Sequence, residues 1–518
     1  MRTLMTGMRV GAIDLGSNSF HLLVADYEGG GRLRRVAREK KNLRLGDVVA
    51  RCGEITDTLA EDAVATVRQL RDRAIASGAE VIFGAATSAF RDASNGPRLL
   101  DRIQTETGVH LRLIDGCEEG RLVFEAVQAS LELTTIPAVC LDLGGGSLEV
   151  VVGDQSEIYC TASLPLGVVR LRAQLLKSDP PTPRETHKLY EHAATVIAAQ
   201  AEPALRFGPR SMIGAGGTFR SIARIVAAQS SSTVPASING MIVTRAELTE
   251  LCENLVRLPA EQRRQMPGVG RRRADLAPAG ALVVLAAMES FEQDEITVAE
   301  WTLREGLVLD AVTKAQDPAW VDPTQALALA IRQGVDLNHA TRVSMYAVDL
   351  FDAGRPFHSL GADDRELLVE AALLHDAGRA SDPESHHKAG GRAVMEGLGN
   401  HHARAELASL VRFHTSSEPK SSFEFYRELE PTRQDTVTKL LAVLRMADWL
   451  ASSGSDLATT IASTGVGIAV EVPRTYPAAS IWELGQRARL LEQSIGCTVE
   501  ISRGSGSGAD AGALARRP

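Results

Sequence analysis

A repeated hairpin pattern constrains the fold of this chain more than any other feature. The segments AIDLGSNSFHLLVAD (Ala12–Asp26) and CLDLGGGSLEVVVGD (Cys140–Asp154) each contain an apolar strand, an Asp, a turn of small residues and a second apolar strand. Two apolar runs joined by a short Gly-, Ser- and Asn-rich segment are typical of a β-hairpin. Because the hairpin occurs twice with matched flanking strands, the sequence predicts two similar α/β units.

The two turns have the composition of phosphate-binding loops. Small residues let backbone N–H groups converge on an anion. Two such turns facing each other would grip a phosphate from both sides, while Asp14 and Asp142 reach a divalent metal directly or through water. A single copy is explained as well by an ordinary glycine turn, but the duplication favours the clamp. A third glycine-rich segment, Gly214–Thr218, precedes a predicted helix and has the form of an anion or nucleotide site at a helix N-terminus.

Length and charge limit the classes of function. A chain of 518 residues exceeds the size of one hydrophobic core, so several domains are expected. The net charge of −9 argues against sequence-independent binding to nucleic acid. No apolar run approaches the ~20 residues that span a bilayer, and the N-terminus does not resemble a signal peptide, so we expect no membrane contact and a cytoplasmic location. A polyanionic substrate would need local positive features such as Lys40, Arg91, Arg121 or the run 271–273.

The pattern of predicted elements changes along the chain. It is mixed strand and helix up to a linker signal at Asp317, Pro318 and Pro323, and almost purely helical from Gln325. The predicted divisions are two α/β domains at 1–134 and 135–318, a helical domain at 319–455, a small α+β domain at 456–503 and a disordered tail at 504–518.

Seven motifs together resemble one family of proteins. DLGSNSFHLLV, ATSAFRDASN, LIDGCEEGRLVF, LDLGGGSLEVV, GAGGTFRSIA, RADLAPAG and LREGLVLD occur in that order between Val10 and Asp310. The arrangement is similar to the actin-like ATPase superfold and, within it, to the exopolyphosphatase and guanosine pentaphosphate phosphohydrolase family. The resemblance implies an α/β fold with two actin-like (ribonuclease H-like) domains, followed by an all-helical HD-type domain and the small α+β domain. It also implies a homodimer.

The activity implied by the resemblance is hydrolysis with Mg²⁺ or Mn²⁺. The substrate would be inorganic polyphosphate, which loses its terminal phosphate, or guanosine pentaphosphate, which loses its 5′ γ-phosphate. Sequence does not separate the two, because both present a terminal phosphoanhydride to the same clamp. Two other interpretations stay open at this point: an ATP-dependent kinase of the same superfold, and a nucleotide-sensing regulatory protein with an HD signalling domain.

The resemblance assigns roles to individual residues. The catalytic glutamate falls on Glu119, whose carboxylate would position and deprotonate the attacking water. Without the resemblance, an exposed helix start would be the better explanation of Glu118 and Glu119. Gly120 stands where the family commonly has Ala.

The metal ligands implied by the family are Asp142 and Glu149, with Asp14 from the opposite loop. Arg91 would contact substrate phosphate. The residues expected to line the clamp are Gly16, Ser17, Asn18, Ser19, Gly144, Gly145, Gly146 and Ser147, with Gly216 and Gly217 in the third glycine segment. Taken alone, Ser147 reads as a turn residue and Glu149 as an exposed strand acid.

The helical region resembles an HD metal-dependent phosphohydrolase domain. His339, His375, Asp376 and Asp448 follow the order H…HD…D and would converge on a second divalent ion. His386, His387 and His414 lie where some HD proteins hold another ion, but Ala389 replaces a histidine common in relatives and argues against a two-metal site. In the alternative interpretation, the domain only grips substrate and forms dimer contacts. His401 and His402 are predicted to be surface residues.

Overall fold

The computed structural model describes residues 7–230, 235–270, 273–314, 324–399, 401–415, 419, 423–453, 459–473, 476 and 478–504. The chain divides into two compact units. One consists of residues 3–103 and 110–320, and the other of residues 321–518 with the segment 104–109.

The first sheet of the larger unit lies in the N-terminal third of the chain. Its strands are β1 (Arg9–Leu15), β2 (Ser19–Gly29), β3 (Arg32–Asn42), β4 (Val81–Ala86) and β5 (His110–Leu113), in the order β3-β2-β1-β4-β5. Strands β1, β2 and β3 run antiparallel, whereas β4 is parallel to β1 and β5 is parallel to β4. The helices of this segment are α1 (Leu45–Cys52), α2 (Asp57–Ala76), α3 (Ser88–Asp92), α4 (Gly96–Thr107) and α5 (Gly116–Ser130).

The second sheet repeats this arrangement. Its strands are β6 (Ala138–Leu143), β7 (Leu148–Gly153), β8 (Ile158–Leu164), β9 (Ser211–Ala215), β10 (Met241–Thr244) and β11 (Glu295–Val298), in the order β8-β7-β6-β9-β11-β10. Strands β6, β7 and β8 again run antiparallel, and β9 is parallel to β6. The accompanying helices are α6 (Val168–Leu175), α7 (Pro183–Leu205), α8 (Gly216–Ser230), α9 (Arg245–Arg257), α10 (Ala260–Arg263), α11 (Ala277–Ser290) and α12 (Leu303–Lys314).

The two predicted hairpins are therefore confirmed, and they hold equivalent places. In each sheet the hairpin supplies the central strand and its antiparallel neighbour, and a parallel strand follows on the other side. This duplicated order is that of two actin-like α/β domains, which confirms this part of the predicted fold class, whereas the HD type of the helical domain stays a prediction. Helix α11 is buried from Pro278 to Met288, because its sequence is apolar on every face.

The smaller unit is helical and then mixed. Its helices are α13 (Gln325–Arg332), α14 (Leu337–His358), α15 (Ala362–Leu374), α16 (His386–Gly397), α17 (Arg404–Phe413), α18 (Glu424–Arg427) and α19 (Pro431–Ser453). The α+β part contains β12 (Thr460–Ser463), β13 (Gly467–Val472), α20 (Ala478–Ile495) and β14 (Thr498–Arg503), with the sheet order β12-β13-β14. Strand β12 is short and mostly exposed.

Some sequence predictions fall outside the described residues. The linker prolines at 318 and 323 and the tail from residue 505 belong to this group. The domain boundaries stay predictions, although 134/135 falls between the end of α5 and the start of β6. Among the described residues, no helix combines the length and apolar character needed to cross a membrane.

Candidate active site

The two predicted phosphate loops meet directly. Ser17 Oγ in the first loop lies 3.0 Å from Ser88 Oγ, at the start of α3. A Cβ atom built on Gly145 would lie 3.1 Å from Ser17 Cβ, and one on Gly146 would lie 1.7 Å from Ser88 Oγ. Only glycine therefore permits the second loop to approach the first so closely. One pocket is lined by all of the predicted loop residues: Gly16, Ser17, Asn18, Ser19, Gly144, Gly145, Gly146, Ser147, Gly216 and Gly217.

Arg170 links the second loop to the first domain. Its Nε donates to the carbonyl oxygen of Gly146 at 3.0 Å, and its guanidinium pairs with Asp92 at the end of α3. At the start of α6, the Val168 and Val169 amides donate to the carbonyls of Gly144 and Gly145. These contacts fix the loop backbone without using the face that lines the pocket.

The strand register places the acidic residues at matching positions. Asp142 pairs with Glu149 across the β6–β7 hairpin, and Asp14 pairs with His21 across β1–β2. Side chains of directly opposite residues lie next to each other on one face of a sheet. Glu149 is 1% exposed, so the interpretation of this residue as an exposed strand acid is wrong.

The third glycine segment packs against Asp142. Helix α8 begins at Gly216, whose φ is +89°. A Cβ there would lie 2.2 Å from Asp142 Oδ1, and a Cβ on Gly217 would lie 2.1 Å from Arg273 Nη1. The two glycines thus admit a carboxylate and a guanidinium to the helix N-terminus.

Glu119 projects into the same pocket from the first turn of α5. Asp115 caps this helix by accepting from the Glu118 amide at 2.8 Å. Arg91 Nη1 donates to Glu119 Oε2 at 2.9 Å. The Glu119 side chain is 12% exposed, so an exposed helix start does not describe it. A Cβ on Gly120 would lie 3.0 Å from Val151 Cγ2, which explains why glycine suits the close approach of α5 to β7 here.

Four carboxyl groups share this buried region. Burial, Glu149 and Asp142 raise the pKa of Glu119 well above its usual value, against the opposing effect of Arg91. Burial raises the pKa of Asp14 to about 7 and that of Asp142 to about 6. Burial and then Asp142 raise the pKa of Glu149 to about 8, and its Oε2 is buried without a hydrogen-bond partner.

These properties fit a divalent cation. An unpartnered buried carboxylate oxygen and mutually repelling acids are both relieved by a positive ion. Among the described residues, the groups of three carboxylate or imidazole ligands within 4.8 Å of one another lie in the helical unit and not here. The predicted ligands Asp14, Asp142 and Glu149 therefore suit an ion that keeps several water or phosphate oxygens, as Mg²⁺ does.

Three arginines complete the pocket, and sequence reasoning selected only the one at position 273, within the run 271–273. They are Arg220, Arg273 and Arg304. Burial, then Arg304, lowers the pKa of Arg220 to about 10, and burial lowers the pKa of Arg273. Arg304 is 6% exposed and its Nε has no hydrogen-bond partner. A cluster of cations, one of them buried with an unpaired donor, is expected where a polyanion binds.

His21 is a further pocket residue that sequence reasoning missed. Arg304 Nη1 lies 3.4 Å from His21 Nδ1, and His21 Nε2 lies 2.8 Å from Ser19 Oγ. Since a guanidinium only donates, Nδ1 accepts and Nε2–H donates to the serine. Burial and Arg304 hold the pKa of His21 well below its usual value, which agrees with this neutral tautomer. The serine hydroxyl keeps its own hydrogen for donation into the pocket. Arg220 and Arg304 lie in the motifs GAGGTFRSIA and LREGLVLD, and His21 lies in DLGSNSFHLLV, but the motifs do not mark these three residues individually.

The predicted HD residues also converge. His339 Nε2 lies 3.2 Å from Asp448 Oδ1, and His375 Nε2 lies 3.7 Å from both Asp448 Oδ1 and Asp376 Oδ2. His386 Nε2 lies 3.6 Å from Asp376 Oδ1, despite Ala389. We call His339, His375, Asp376, His386, His414 and Asp448 the helical-domain cluster.

The prediction for His401 is wrong. This residue is buried, and its Nε2 lies 3.1 Å from a carboxylate oxygen of Glu370. His402 is exposed, as predicted. A histidine pair without periodic context gave no indication of which ring faces inward.

Comparisons with known proteins agree with this geometry. The sequence pattern of the Ppx/GppA phosphatase family matches residues 23–315, and that of Ppx/GppA phosphatase domain III matches residues 323–475. Exopolyphosphatase 1 of Mycobacterium leprae (strain TN) is 34% identical over 340 residues, which are 65% of this chain and 98% of the relative.

Two further proteins extend the comparison. A guanosine-5′-triphosphate,3′-diphosphate pyrophosphatase of Aeromonas hydrophila is 28% identical over 368 residues, 71% of this chain and 72% of the relative. The crystal structure of an exopolyphosphatase from Cytophaga hutchinsonii aligns with a TM-score of 0.56 at 25% identity, covering 59% of this chain and 98% of that one. The family pattern matches more than half of the chain, including most of the duplicated sheets and most of the paired glycine loops. This chain therefore belongs to the Ppx/GppA phosphatase family.

Proposed function

We propose that this protein hydrolyses the terminal phosphoanhydride of inorganic polyphosphate in the pocket between the two phosphate loops. The observation that carries the proposal is that Glu119, Arg220, Arg273 and Arg304 line the same glycine-rich pocket. A carboxylate beside a polyanion site suits attack by water on phosphorus. The carboxylate can take the proton from the water, and the nearby arginines can offset the negative charge of the phosphoryl group.

The terminal phosphate is held by the two loops. Ser17 and Ser19 offer hydroxyl donors, and Gly145 and Gly146 bring backbone close to the anion. Asp14, Asp142 and Glu149 would hold a divalent ion, Mg²⁺ or Mn²⁺, which would neutralise charge on the phosphoryl group. Arg304 and Arg220 bind oxygens of the remaining chain.

Glu119 acts as the general base. It takes a proton from the attacking water while the water oxygen bonds to the terminal phosphorus and the bond to the bridging oxygen breaks. The electrons of that bond remain on the departing chain, whose charge the arginines stabilise. Arg91 orients the Glu119 carboxylate through their hydrogen bond at 2.9 Å.

Guanosine pentaphosphate is the second candidate substrate, and a specific feature favours it. Beyond the glycine loop the pocket is lined by apolar side chains: Ile222, Ile225, Leu255, Val269 and Leu276. An apolar recess next to a phosphate clamp fits a nucleoside that carries phosphates. The Aeromonas relative's name refers to this type of compound.

The test measures orthophosphate release from long-chain polyphosphate and from guanosine pentaphosphate, with Mg²⁺ or with EDTA, in ¹⁸O-labelled water. We expect release only with the metal and one labelled oxygen in each released phosphate. Transfer of phosphate to an organic acceptor without incorporation of label would support the kinase interpretation instead. Homodimer formation and cytoplasmic location stay predictions, to be measured by light scattering and by fractionation of cells.

A second metal ion in the helical domain is a separate proposal. His339, His375, Asp376 and Asp448 are brought together as the H…HD…D pattern predicts. Metal analysis of the purified protein against His375→Ala/Asp376→Ala tests it, and equal metal content in both would contradict it.

A further inference from the structure

Two further cavities adjoin the pocket that Glu119 and the phosphate loops line, which we call the loop pocket. The first, the front cavity, has a volume of about 520 Å³ and shares Arg304 with the loop pocket. The second, the rear cavity, has a volume of about 250 Å³ and shares Ser17 and Gly146 with the loop pocket. Among the described residues, none lines both the front and the rear cavity. The two therefore adjoin the loop pocket at different places.

The front cavity has the charge expected of a polyanion site. Seven cationic side chains line it against three carboxylates. Two of the cations, Lys40 and Arg38, lie on β3 opposite His21 and Leu23 of β2. Alternate residues of a strand share one face and are about 7 Å apart, so these cations form a row that leads away from the first phosphate loop. A phosphate chain whose end is held by the loops extends along this row.

The rear cavity lies on the other side of the loops, where α1, α3 and α6 meet. Ala50 of α1 and Gln174 of α6 are exposed and form its rim. Arg170 lines it, pairs with Asp92 and donates from Nε to the carbonyl oxygen of Gly146 at 3.0 Å. A water molecule occupies about 30 Å³ in the liquid, so this cavity has room for a phosphate ion.

The wall between the loop pocket and the rear cavity is thin. Ser17, Ser88, Gly145 and Gly146 line both cavities. Ser17 Oγ lies 3.0 Å from Ser88 Oγ, and a Cβ on Gly146 would lie 1.7 Å from the same Ser88 oxygen. The wall is thus closed by a contact between two hydroxyl groups and by glycine backbone. Rotation of a serine side chain to another staggered rotamer breaks the hydroxyl contact.

Hydrolysis would leave its two products in different places. Orthophosphate would remain in the loops, beside the rear cavity, and the shortened chain would remain against Arg304, in the front cavity. Of these three cavities, Glu119 lines only the loop pocket in the described part of the chain. Orthophosphate that left through the front cavity would need the chain to leave first. A chain held by many charged contacts dissociates slowly, because each contact adds to its affinity.

We propose that orthophosphate leaves through the rear cavity while the shortened chain stays in the front cavity. This inference rests on the proposed hydrolysis and adds a binding site for its product. Ser17 and Ser88 offer hydroxyl groups to phosphate oxygens on both sides of the wall, since each lines both cavities. Arg170 supplies positive charge beyond the wall. Its ion pair with Asp92 offsets that charge, so the product binds weakly and passes on to solvent.

The test separates cleavage from release. The full-length protein with Mg²⁺ is mixed with end-labelled polyphosphate of defined length. Orthophosphate formed is measured after acid quenching, and orthophosphate released is followed with a fluorescent phosphate sensor. Excess unlabelled polyphosphate, added after binding, shows whether a bound chain is shortened again before it dissociates. In the wild-type protein we expect release to follow formation closely and each bound chain to lose several phosphates.

Two substitutions obstruct the rear cavity. Gln174→Trp and Ala50→Trp each place a large side chain at its exposed rim, on different helices. Both should keep the rate of the first cleavage, slow the release of orthophosphate several-fold and lower kcat by the same factor. A bound chain should then dissociate after one cleavage. Arg51→Trp is the matched control, because Arg51 is exposed on α1 beside Ala50 but lines none of the three cavities, and it should behave like the wild-type protein.

Several results would overturn the exit path. Wild-type release and repeated shortening of one bound chain in both tryptophan variants, shown to be folded by circular dichroism, would do so. A slower first cleavage with unchanged release would mean that the cavity affects chemistry instead. Dissociation of the chain after every cleavage in the wild-type protein would remove the need for a second exit. If acid-quenched wild-type samples contained no orthophosphate, the proposed function itself would fail, and the exit path with it.

Discussion

Arg91 Nη1 donates to both Glu119 Oε2, at 2.9 Å, and the carbonyl oxygen of Ile114, at 2.7 Å. The sequence resemblance assigns Arg91 to substrate phosphate. The geometry gives it a positioning role as well, because the carbonyl fixes the guanidinium and the guanidinium fixes the carboxylate. The ion pair is mostly buried, so its electrostatic effect on Glu119 is screened only weakly by solvent.

Replacement of Arg91 should therefore change the dependence of kcat on pH. Arg91 lowers the pKa of Glu119, so Arg91→Gln raises it further. A general base works only when deprotonated, and the acid limb of kcat should move to higher pH, with a greater loss of activity at pH 7 than at pH 9. Arg112→Gln is the control, because Arg112 pairs with the neighbouring Glu118. An increase in KM without a shift of the limb would assign Arg91 to substrate contact alone.

Arg304 is expected to contribute to substrate binding. A charge-assisted hydrogen bond contributes about 1.5–3 kcal/mol, so Arg304→Gln should raise KM for polyphosphate about tenfold or more. The dependence of KM on salt should also become weaker. Arg257→Gln, at an exposed ion pair on α9, should leave both unchanged. Equal KM values for Arg304→Gln and the wild-type protein would remove Arg304 from the substrate site.

Gly216 is expected to be irreplaceable for two separable reasons. Its φ of +89° disfavours any side chain, and a Cβ would lie 2.2 Å from Asp142 Oδ1. Gly240 has a φ of +79° with nothing within 4 Å, so Gly240→Ala isolates the backbone effect. Gly240→Ala should lose about 1 kcal/mol of unfolding free energy, and Gly216→Ala should lose more because the clash with Asp142 is added to the backbone effect. Only Gly216→Ala should also weaken Mg²⁺ binding, measured by calorimetry. Equal Mg²⁺ affinity in the two variants would contradict the contact with Asp142.

Mg²⁺ binding should release protons near neutral pH. In the metal-free protein, the pKa of Asp14 is about 7 and that of Glu149 about 8, so both carry protons at pH 6. A divalent ion must displace these protons, and its affinity should rise between pH 6 and pH 8. Calorimetry in buffers of different ionisation enthalpy counts the released protons. Affinity that is independent of pH would mean that these acids do not bind the ion.

The same pKa values fix the sign of a stability effect. A carboxyl group whose folded-state pKa is raised binds more protons in the folded chain than in the unfolded one between about pH 4 and pH 8. The metal-free protein should therefore lose stability as pH rises through that range. Mg²⁺ should reverse the loss, which thermal unfolding at pH 5.5 and pH 8 with EDTA or Mg²⁺ would detect.

Prediction from sequence worked best where the position of a functional residue is determined by the neighbouring strands and turns. The hairpins around Asp14 and Asp142 are encoded by alternation and turn residues, and the structure has them as predicted. Arg220, Arg304 and His21 were missed because their roles depend on burial and tertiary approach. Nothing in a local pattern distinguishes Arg304 from a solvated arginine, although its Nε is buried and unpaired. His401 was misplaced for the same reason, since its partner Glu370 lies 31 residues earlier in the chain, on α15.

The most direct test of the account compares Glu119→Gln with Glu118→Gln. Both change a carboxylate to an amide of the same shape in the first turn of α5, but only Glu119 lines the pocket. Orthophosphate release from polyphosphate and substrate binding are measured side by side. Loss of a general base costs about 10²–10⁴-fold in rate, so Glu119→Gln should lower kcat by that factor while substrate binding is kept and Glu118→Gln stays active. A kcat of Glu119→Gln within a few-fold of the wild-type value would contradict the account.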